Sequence, residues 1–66
     1  MDEKEFGKYL GKRVNVFFQD GRYEDDRKIF VVTDGYRMEN SKSPNDYEII
    51  IPEEIKKIEK IPGLLF

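Results

Sequence analysis

The densest group of side chains that could do chemistry is the acidic run Glu24-Asp25-Asp26, with Asp20 shortly before it. Carboxylates are the preferred ligands of calcium and magnesium, and two converging carboxylates can act as general acid and base. The run lacks the spacing of a calcium loop with a closing glutamate, and its members lie side by side on one predicted hairpin arm. We therefore expect a solvated turn here, with a metal site as the less favoured alternative.

Few other side chains of this chain could take part in catalysis. The sequence contains no cysteine and no histidine, which removes thiolate nucleophiles, the usual zinc ligand sets and the commonest general base. Its two serines, Ser41 and Ser43, lie in a polar stretch, and its glycines form no phosphate-binding motif. The sequence therefore predicts a protein that is not an enzyme and that uses neither a metal nor another cofactor.

Length and charge narrow the class of protein further. The chain has 66 residues, with 14 acidic and 12 basic side chains and a net charge of −2. A chain of this length forms one domain, here residues 1–66, and domains that bind DNA through its phosphates normally carry a positive excess. The apolar runs are too short to span a bilayer, and the N-terminus does not resemble a signal peptide. We expect a cytoplasmic protein that binds neither DNA directly nor a membrane.

A short helix is predicted at the N-terminus. Residues 2–10 place Phe6, Tyr9 and Leu10 at helical spacing, and Asp2 can cap the first turn. The glycine that follows Leu10 is expected to end the helix.

The middle of the chain predicts an antiparallel meander. Residues 13–19 alternate between apolar and polar side chains, which is the period of a strand. Asp20-Gly21 and Asp34-Gly35 predict two tight hairpin turns. Between them the acidic run interrupts one strand, and residues 27–33 are apolar and β-branched enough to form the most buried strand. Residues 36–39 predict the next strand.

The C-terminal third begins with a predicted loop and strand. Residues 40–46 contain no apolar side chain apart from a proline and predict a solvated loop. Residues 47–51 predict a strand that Pro52 ends, because proline cannot donate a hydrogen bond to a strand ladder. Residues 62–66 could form an exposed apolar tail.

The segment after Pro52 is ambiguous. The spacing of Ile51, Ile55, Ile58 and Ile61 favours a helix over residues 52–60. The alternative is a single turn followed by a last strand at residues 56–61. With the helix, the sequence predicts one small α+β domain: an antiparallel, barrel-like meander of four to five strands with a short N-terminal helix and a C-terminal helix.

Residues 10–22 carry a resemblance to a known family. Their sequence, Leu-Gly-Lys-Arg-Val-Asn-Val-Phe-Phe-Gln-Asp-Gly-Arg, resembles the opening of Sm-like small barrels, in which a helix precedes such a strand and a turn lies at Asp-Gly-Arg. The resemblance implies a closed barrel whose last strand is at residues 56–61, and single-stranded RNA as the ligand. Asp26 stands where those proteins usually have the glycine that bends the second strand, and residues 36–40 lack their Asp-x-x-x-Asn loop.

Aromatic rings beside cations bear on the RNA interpretation. Phe17, Tyr23 and Tyr36 are interleaved with the four arginines of the chain, and such rings could stack on the bases of a single strand. Packing of the rings in the core, with arginines on the surface, explains the same residues.

The two chain ends carry a different resemblance. Residues 3–10, Glu-x-x-Phe-x-x-Tyr-Leu, are similar to the PCNA-interacting peptide, in which glutamine precedes an aliphatic residue and two aromatic residues that plug a groove on the sliding clamp. Residues 61–66, Ile-x-x-Leu-Leu-Phe, have the same geometry without the glutamine and the aromatic pair. In size, acidity and apolar ends, the chain resembles small archaeal inhibitor proteins of the PCNA clamp.

This resemblance implies a non-catalytic regulator that occupies the client-peptide groove of the clamp. The implied partner-binding residues are the large apolar side chains at the two ends: Phe6, Tyr9, Leu10, Ile61, Leu64, Leu65 and Phe66. Core packing is the alternative for the first three, and a strap across the domain is the alternative for the tail. Binding of single-stranded RNA by an Sm-like barrel is the alternative function.

Overall fold

A computed structural model describes residues 1–62 as one short helix and one five-stranded antiparallel sheet. The elements are α1 (Glu3–Phe6), β1 (Arg13–Phe18), β2 (Tyr23–Val32), β3 (Gly35–Asn40), β4 (Ser43–Ile50) and β5 (Ile55–Lys60). The strand order is β4-β3-β2-β1-β5, and every neighbouring pair is antiparallel. Within residues 1–62, β4 and β5 are therefore the two edges of an open sheet. The α+β class is confirmed and strands β1 to β4 form a meander, whereas β5 returns to pair with β1 and the sheet does not close into a barrel.

The predicted N-terminal helix is present but shorter than residues 2–10. Asp2 caps α1, because its side chain accepts a hydrogen bond from the backbone N–H of Lys4 at 3.0 Å. A 3₁₀ turn at Gly7–Tyr9 continues the helix, and Leu10 is already extended. Gly11 then takes a φ of +76°, a left-handed conformation that glycine adopts without strain.

Both predicted hairpins form, with a shift at the second. Gly21 has a φ of +95°, and the backbone N–H of Phe18 donates to the carbonyl of Arg22 at 2.9 Å across the first turn. In the second hairpin Val32 pairs with Gly35, so the turn is one residue earlier than the Asp-Gly pair. The predicted loop at residues 40–46 is reduced to a tight turn, because β4 begins at Ser43.

Strand β2 differs from its prediction in two ways. The acidic run does not interrupt the strand but forms a bulge in it: Val14 pairs with Arg27, whereas Val16 pairs with Glu24. Asp26, at this bulge, has a φ of +52° and is the one non-glycine residue among residues 1–62 with a positive φ. The expectation that residues 27–33 form the most buried strand is also wrong, since only Ile29 of β2 is buried.

The predicted C-terminal helix at residues 52–60 is wrong. A 3₁₀ turn at Pro52–Glu54 leads directly into β5, which pairs with β1, so the alternative of a turn and a last strand is the correct one. A bulge explains the misleading spacing. Phe17 pairs with Lys57 but Phe18 pairs with Ile55, so β5 advances two residues while β1 advances one. Ile55 and Ile58 therefore both face the core although they are three residues apart.

The core lies on one face of the sheet and is covered by α1. Its nine buried side chains come from the helix and from all five strands: Phe6, Val14, Val16, Phe18, Ile29, Met38, Ile50, Ile55 and Ile58. Met1, Tyr9, Leu10 and Tyr36 pack against this cluster and are half-buried. Large apolar burial of this kind is the main stabilising contribution available to a domain of this size.

Candidate functional site

The N-terminal group of predicted partner-binding residues belongs to the packing of the domain. Phe6 is 0% exposed, and its ring lies edge-on to that of Tyr36 with 4.6 Å between the ring centroids. Tyr9 and Leu10 are half-buried against the core. A partner therefore cannot contact the Phe6 ring in this fold, as the core-packing alternative for that residue predicts.

The C-terminal group divides at the end of the described residues. Ile61 follows β5 and is half-buried, and its backbone N–H donates to the carbonyl of Arg13 at 3.0 Å. Leu64, Leu65 and Phe66 lie outside the described residues. Their role in binding a partner stays a prediction, and the structure places only Ile61, at the point from which they continue.

The acidic run is engaged by arginines. Arg27 contacts Glu24 with 2.7 Å between Nη2 and Oε1, and Arg13 donates from Nε to Oδ1 of Asp26 at 2.8 Å. The hydrogen bond from Arg13 holds the pKa of Asp26 below its usual value and raises the pKa of Arg13. Within residues 1–62 no group of three or more carboxylates is arranged to hold a metal ion. Asp26 thereby ties β2 to β1, whereas the pair of Glu24 and Arg27 lies within β2.

All four arginines of the chain have a carboxylate partner. Besides the two pairs at the acidic run, Arg22 makes a two-fold contact with Glu48 at 3.1 and 2.7 Å, and Arg37 lies 2.8 Å from Glu39. The hydrogen bonds to Glu48 raise the pKa of Arg22 above its usual value. Because a neighbouring carboxylate compensates the positive charge of each guanidinium, the arginines attract a phosphate less strongly and do not form a basic surface.

Sequence reasoning missed an apolar surface on the side of the sheet opposite the core, which we call the outer face. Phe30 pairs with Arg37, and Arg37 pairs with Ile49, so the three side chains form a row across β2, β3 and β4. Tyr47 lies beside them, with the guanidinium carbon of Arg37 3.7 Å from the centre of its ring. Phe30, Tyr47 and Ile49 are exposed. The signal in the sequence is the run of three isoleucines at residues 49–51, since only one side of a strand can face the core and part of such a run must be exposed.

A second group on the outer face lies towards the other edge. The rings of Phe17 and Tyr23 have centroids 4.7 Å apart, and the Lys57 ammonium is 5.0 Å from the centre of the Phe17 ring. Phe17 and Tyr23 are therefore on the surface side of the sheet, as the RNA interpretation requires, whereas Tyr36 packs against the core.

Among the recesses that residues 1–62 form, two small ones lie beside the groups described above. One, of about 100 Å³, lies on the core side of β4 and is lined by Glu24, Arg27, Met38, Asp46, Tyr47 and Glu48. The other, of about 150 Å³, lies at the first hairpin and is lined by Phe18, Gln19, Asp20, Arg22 and Glu54. Both are smaller than the cavities of about 300 Å³ and more that hold drug-sized ligands. They suit single side chains or waters.

Comparison of the chain with protein-family models, with curated proteins and with solved structures found no match in any of the three. Over residues 1–62, no helix is both long and apolar enough to cross a membrane.

Proposed function

We propose that this protein is a non-catalytic, cytoplasmic regulator that binds a protein partner through apolar side chains at its C-terminal end. The partner is a sliding clamp of the PCNA type, and the docked residues are Ile61, Leu64, Leu65 and Phe66. By filling the client-peptide groove, the protein excludes other clients of the clamp.

The position of Ile61 carries this proposal. Every buried core residue among residues 1–62 lies between Phe6 and Ile58, so the described core is assembled before the chain reaches Ile61. Three large apolar residues then follow Pro62 and Gly63 in the sequence. Burying each such side chain contributes about 1.5–3 kcal/mol, and a groove on a partner can supply the surface for it. Ordering the segment on binding offsets part of that gain.

The distribution of charge supports a protein partner over a nucleic acid. The net charge is −2, and each arginine is paired with a carboxylate. Binding to phosphates would have to break these pairs, and its affinity would fall steeply with salt. Docking of apolar side chains into a groove needs no basic surface and depends little on salt.

Deletion of residues 64–66 tests the proposal. Calorimetry with a purified sliding clamp should show affinity about tenfold or more weaker than that of the full chain, whereas the melting temperature stays almost unchanged. Val31→Ser is the matched control, because Val31 is the most exposed large apolar side chain of the sheet and lies away from the chain end. Its clamp affinity should equal that of the unaltered protein. A deletion that lowers the melting temperature strongly and leaves clamp affinity intact would assign the tail to the domain's own core.

Single-stranded RNA binding is the second candidate function. The observation that favours it is the pairing of β5 with β1, because a last strand at this place is what the Sm-like resemblance implies. Tyr23, beside Phe17 and Lys57, is the ring best placed to stack on a base. Fluorescence anisotropy with a labelled decauridine tests it. Tight binding that weakens as salt rises and is lost in Tyr23→Ala would favour RNA over the clamp.

A further inference from the structure

The two edges of the sheet are protected to different degrees. An exposed edge strand leaves alternate backbone N–H and carbonyl groups unpaired, and proteins commonly guard such edges with lysine. Strand β5 carries three lysines, Lys56, Lys57 and Lys60. Residues 47–51 on the β4 side carry none, and their outward side chains Tyr47, Ile49 and Ile51 are 50%, 49% and 46% exposed. Among residues 1–62, the outer side of β4 therefore has neither a paired strand nor a lysine to guard it.

The opposite side of the same edge is acidic. Glu48 pairs across the sheet with the core residue Met38, so it points to the core side, away from Tyr47 and Ile49. The side chains of Asp46 and Glu48 are 67% and 41% exposed, and both line the recess of about 100 Å³. Three carboxylates line that recess, and two guanidinium groups reach them. Arg27 pairs with Glu24 at 2.7 Å and lies 3.8 Å from Asp46, whereas Arg22 pairs with Glu48 at 2.7 Å. The side chains at this place therefore leave one negative charge in excess.

We propose that the β4 edge at residues 47–51 binds an extended segment of a protein partner in which apolar and basic side chains alternate. Strand pairing satisfies the free backbone groups of the edge. Because successive side chains of a strand point to opposite faces, the apolar side chains of the segment cover Tyr47, Ile49 and Ile51, and its basic side chains reach Asp46 and Glu48.

The length of the bound segment follows from the ends of the edge. The register between β3 and β4 shifts between Glu39 and Asn40, so regular pairing begins only at Tyr47. Pro52 has no backbone N–H to donate and starts the 3₁₀ turn, and the backbone N–H and carbonyl of Ile51 are already bonded to Glu54 at 3.2 and 3.1 Å. The free backbone groups of the edge therefore lie in residues 47–50, and about four residues of the partner can pair with them.

A second copy of this chain fits the edge poorly. In a two-fold pairing of β4 centred on Tyr47 or Glu48, the acids of the two copies would lie opposite one another, which disfavours such a dimer. Its β5 places Lys57 and Glu59 on the outer face, since they pair with Phe17 and Asn15, and these charged side chains would not cover the apolar row. The site is also independent of the proposed clamp docking, because it uses neither Ile61 nor the residues after it.

The test uses a capped seven-residue peptide, Val-Lys-Val-Lys-Val-Lys-Val, and a block peptide with the same composition, Lys-Lys-Lys-Val-Val-Val-Val. In amide NMR spectra of the full chain, the alternating peptide should shift the resonances of residues 47–51 and slow their hydrogen exchange, without effect on β5. The affinity of the block peptide should be at least about tenfold lower than that of the alternating peptide. Methylation of alternate backbone nitrogens of the alternating peptide should abolish the exchange protection, because it removes the strand hydrogen bonds.

Charge variants distinguish a local contribution of the acidic side chains at the edge from an effect of the protein's net charge on peptide affinity. The double variant Asp46→Asn, Glu48→Gln should bind the alternating peptide about tenfold more weakly at low salt than the unaltered protein does. The matched control Glu3→Gln, Glu5→Gln removes the same charge from α1 and should bind within twofold of the unaltered protein. Equal binding of the two peptides, resonance shifts confined to β5, or a concentration-dependent dimer that protects residues 47–51 and resists the peptide would each overturn the proposal.

Discussion

Truncation of Phe6 should show whether this residue stabilises the domain or docks on a partner. It is 0% exposed and packs on the ring of Tyr36 at 4.6 Å. Replacement of a buried phenylalanine by alanine costs about 3–5 kcal/mol. A domain of this length has a total stability of roughly 3–10 kcal/mol. We therefore expect Phe6→Ala to unfold a large fraction of the molecules at 25 °C.

The milder variant Phe6→Leu keeps the experiment quantitative. It removes the aromatic pair, worth about 0.5–1.5 kcal/mol, and leaves a small void, so the expected loss is about 1–2 kcal/mol. With a urea dependence of about 1 kcal/mol per molar for a chain of this size, the urea midpoint followed by circular dichroism should fall by about 1–2 M. Phe30→Leu is the matched control, because Phe30 is 38% exposed on the outer face and should change the midpoint less.

Binding decides between the two roles of Phe6. If the ring serves only the core, folded Phe6→Leu protein binds the sliding clamp within twofold of the unaltered protein. A variant that keeps its urea midpoint within about 0.5 M and loses clamp affinity would refute the core assignment. That result would place the docking site at the N-terminal helix.

Three further variants test local features of the fold. Because Arg13 holds the pKa of Asp26 below its usual value, the stabilisation from this pair is complete above about pH 5 and is lost as the pH falls below about 4. Melting curves should therefore fall less steeply between pH 5 and 2.5 in Asp26→Asn, in which asparagine still tolerates the positive φ. Gly35→Ala should cost about 1 kcal/mol or more in urea unfolding, since φ is +145° and a Cβ would lie 3.3 Å from the carbonyl oxygen of Ile50. Gly7→Ala, with a φ of −58° and no atom within 4 Å of a Cβ, should instead stabilise by about 0.4–1 kcal/mol.

The parts of the fold that depend on local chemistry could be predicted from the sequence. The Asp2 cap, the turn at Asp20-Gly21 and the end of a strand at Pro52 each follow from the conformational preferences of one or two residues. Alternation through β1 also predicts its face correctly, because Val14, Val16 and Phe18 are all buried. Because the side-chain period of two is preserved in β1, the sequence pattern identifies the residues that face the core.

Bulges account for the main errors. The extra residue at Lys56 puts Ile55 and Ile58 on one face at a spacing of three, which in sequence is indistinguishable from a helical pattern. At the other bulge, the acidic run at residues 24–26 predicts an interruption, because such residues are depleted in strands, whereas β2 runs through it with Asp26 at a positive φ. The bulge at Lys56 has no local signal, because it depends on pairing with β1, which is distant in the sequence.

The candidate site was predictable only in part. Apolar residues at helical spacing near the N-terminus fit both a docking peptide and a core helix, and the burial of Phe6 depends on the strand that carries Tyr36. The outer-face row of Phe30, Arg37 and Ile49 depends on the register of three strands. Register is a property of the assembled sheet, so a short apolar run alone did not reveal which of its side chains would be exposed.

Calorimetric titration of the intact protein into a purified sliding clamp, with and without a saturating client peptide, tests the proposed function most directly. We expect measurable binding to the free clamp that disappears when the client peptide fills the groove. This binding should change little between about 0.1 and 0.5 M salt, a range over which a phosphate-dependent interaction would weaken strongly. No binding to the free clamp, or equal binding to the free and the peptide-filled clamp, would contradict it.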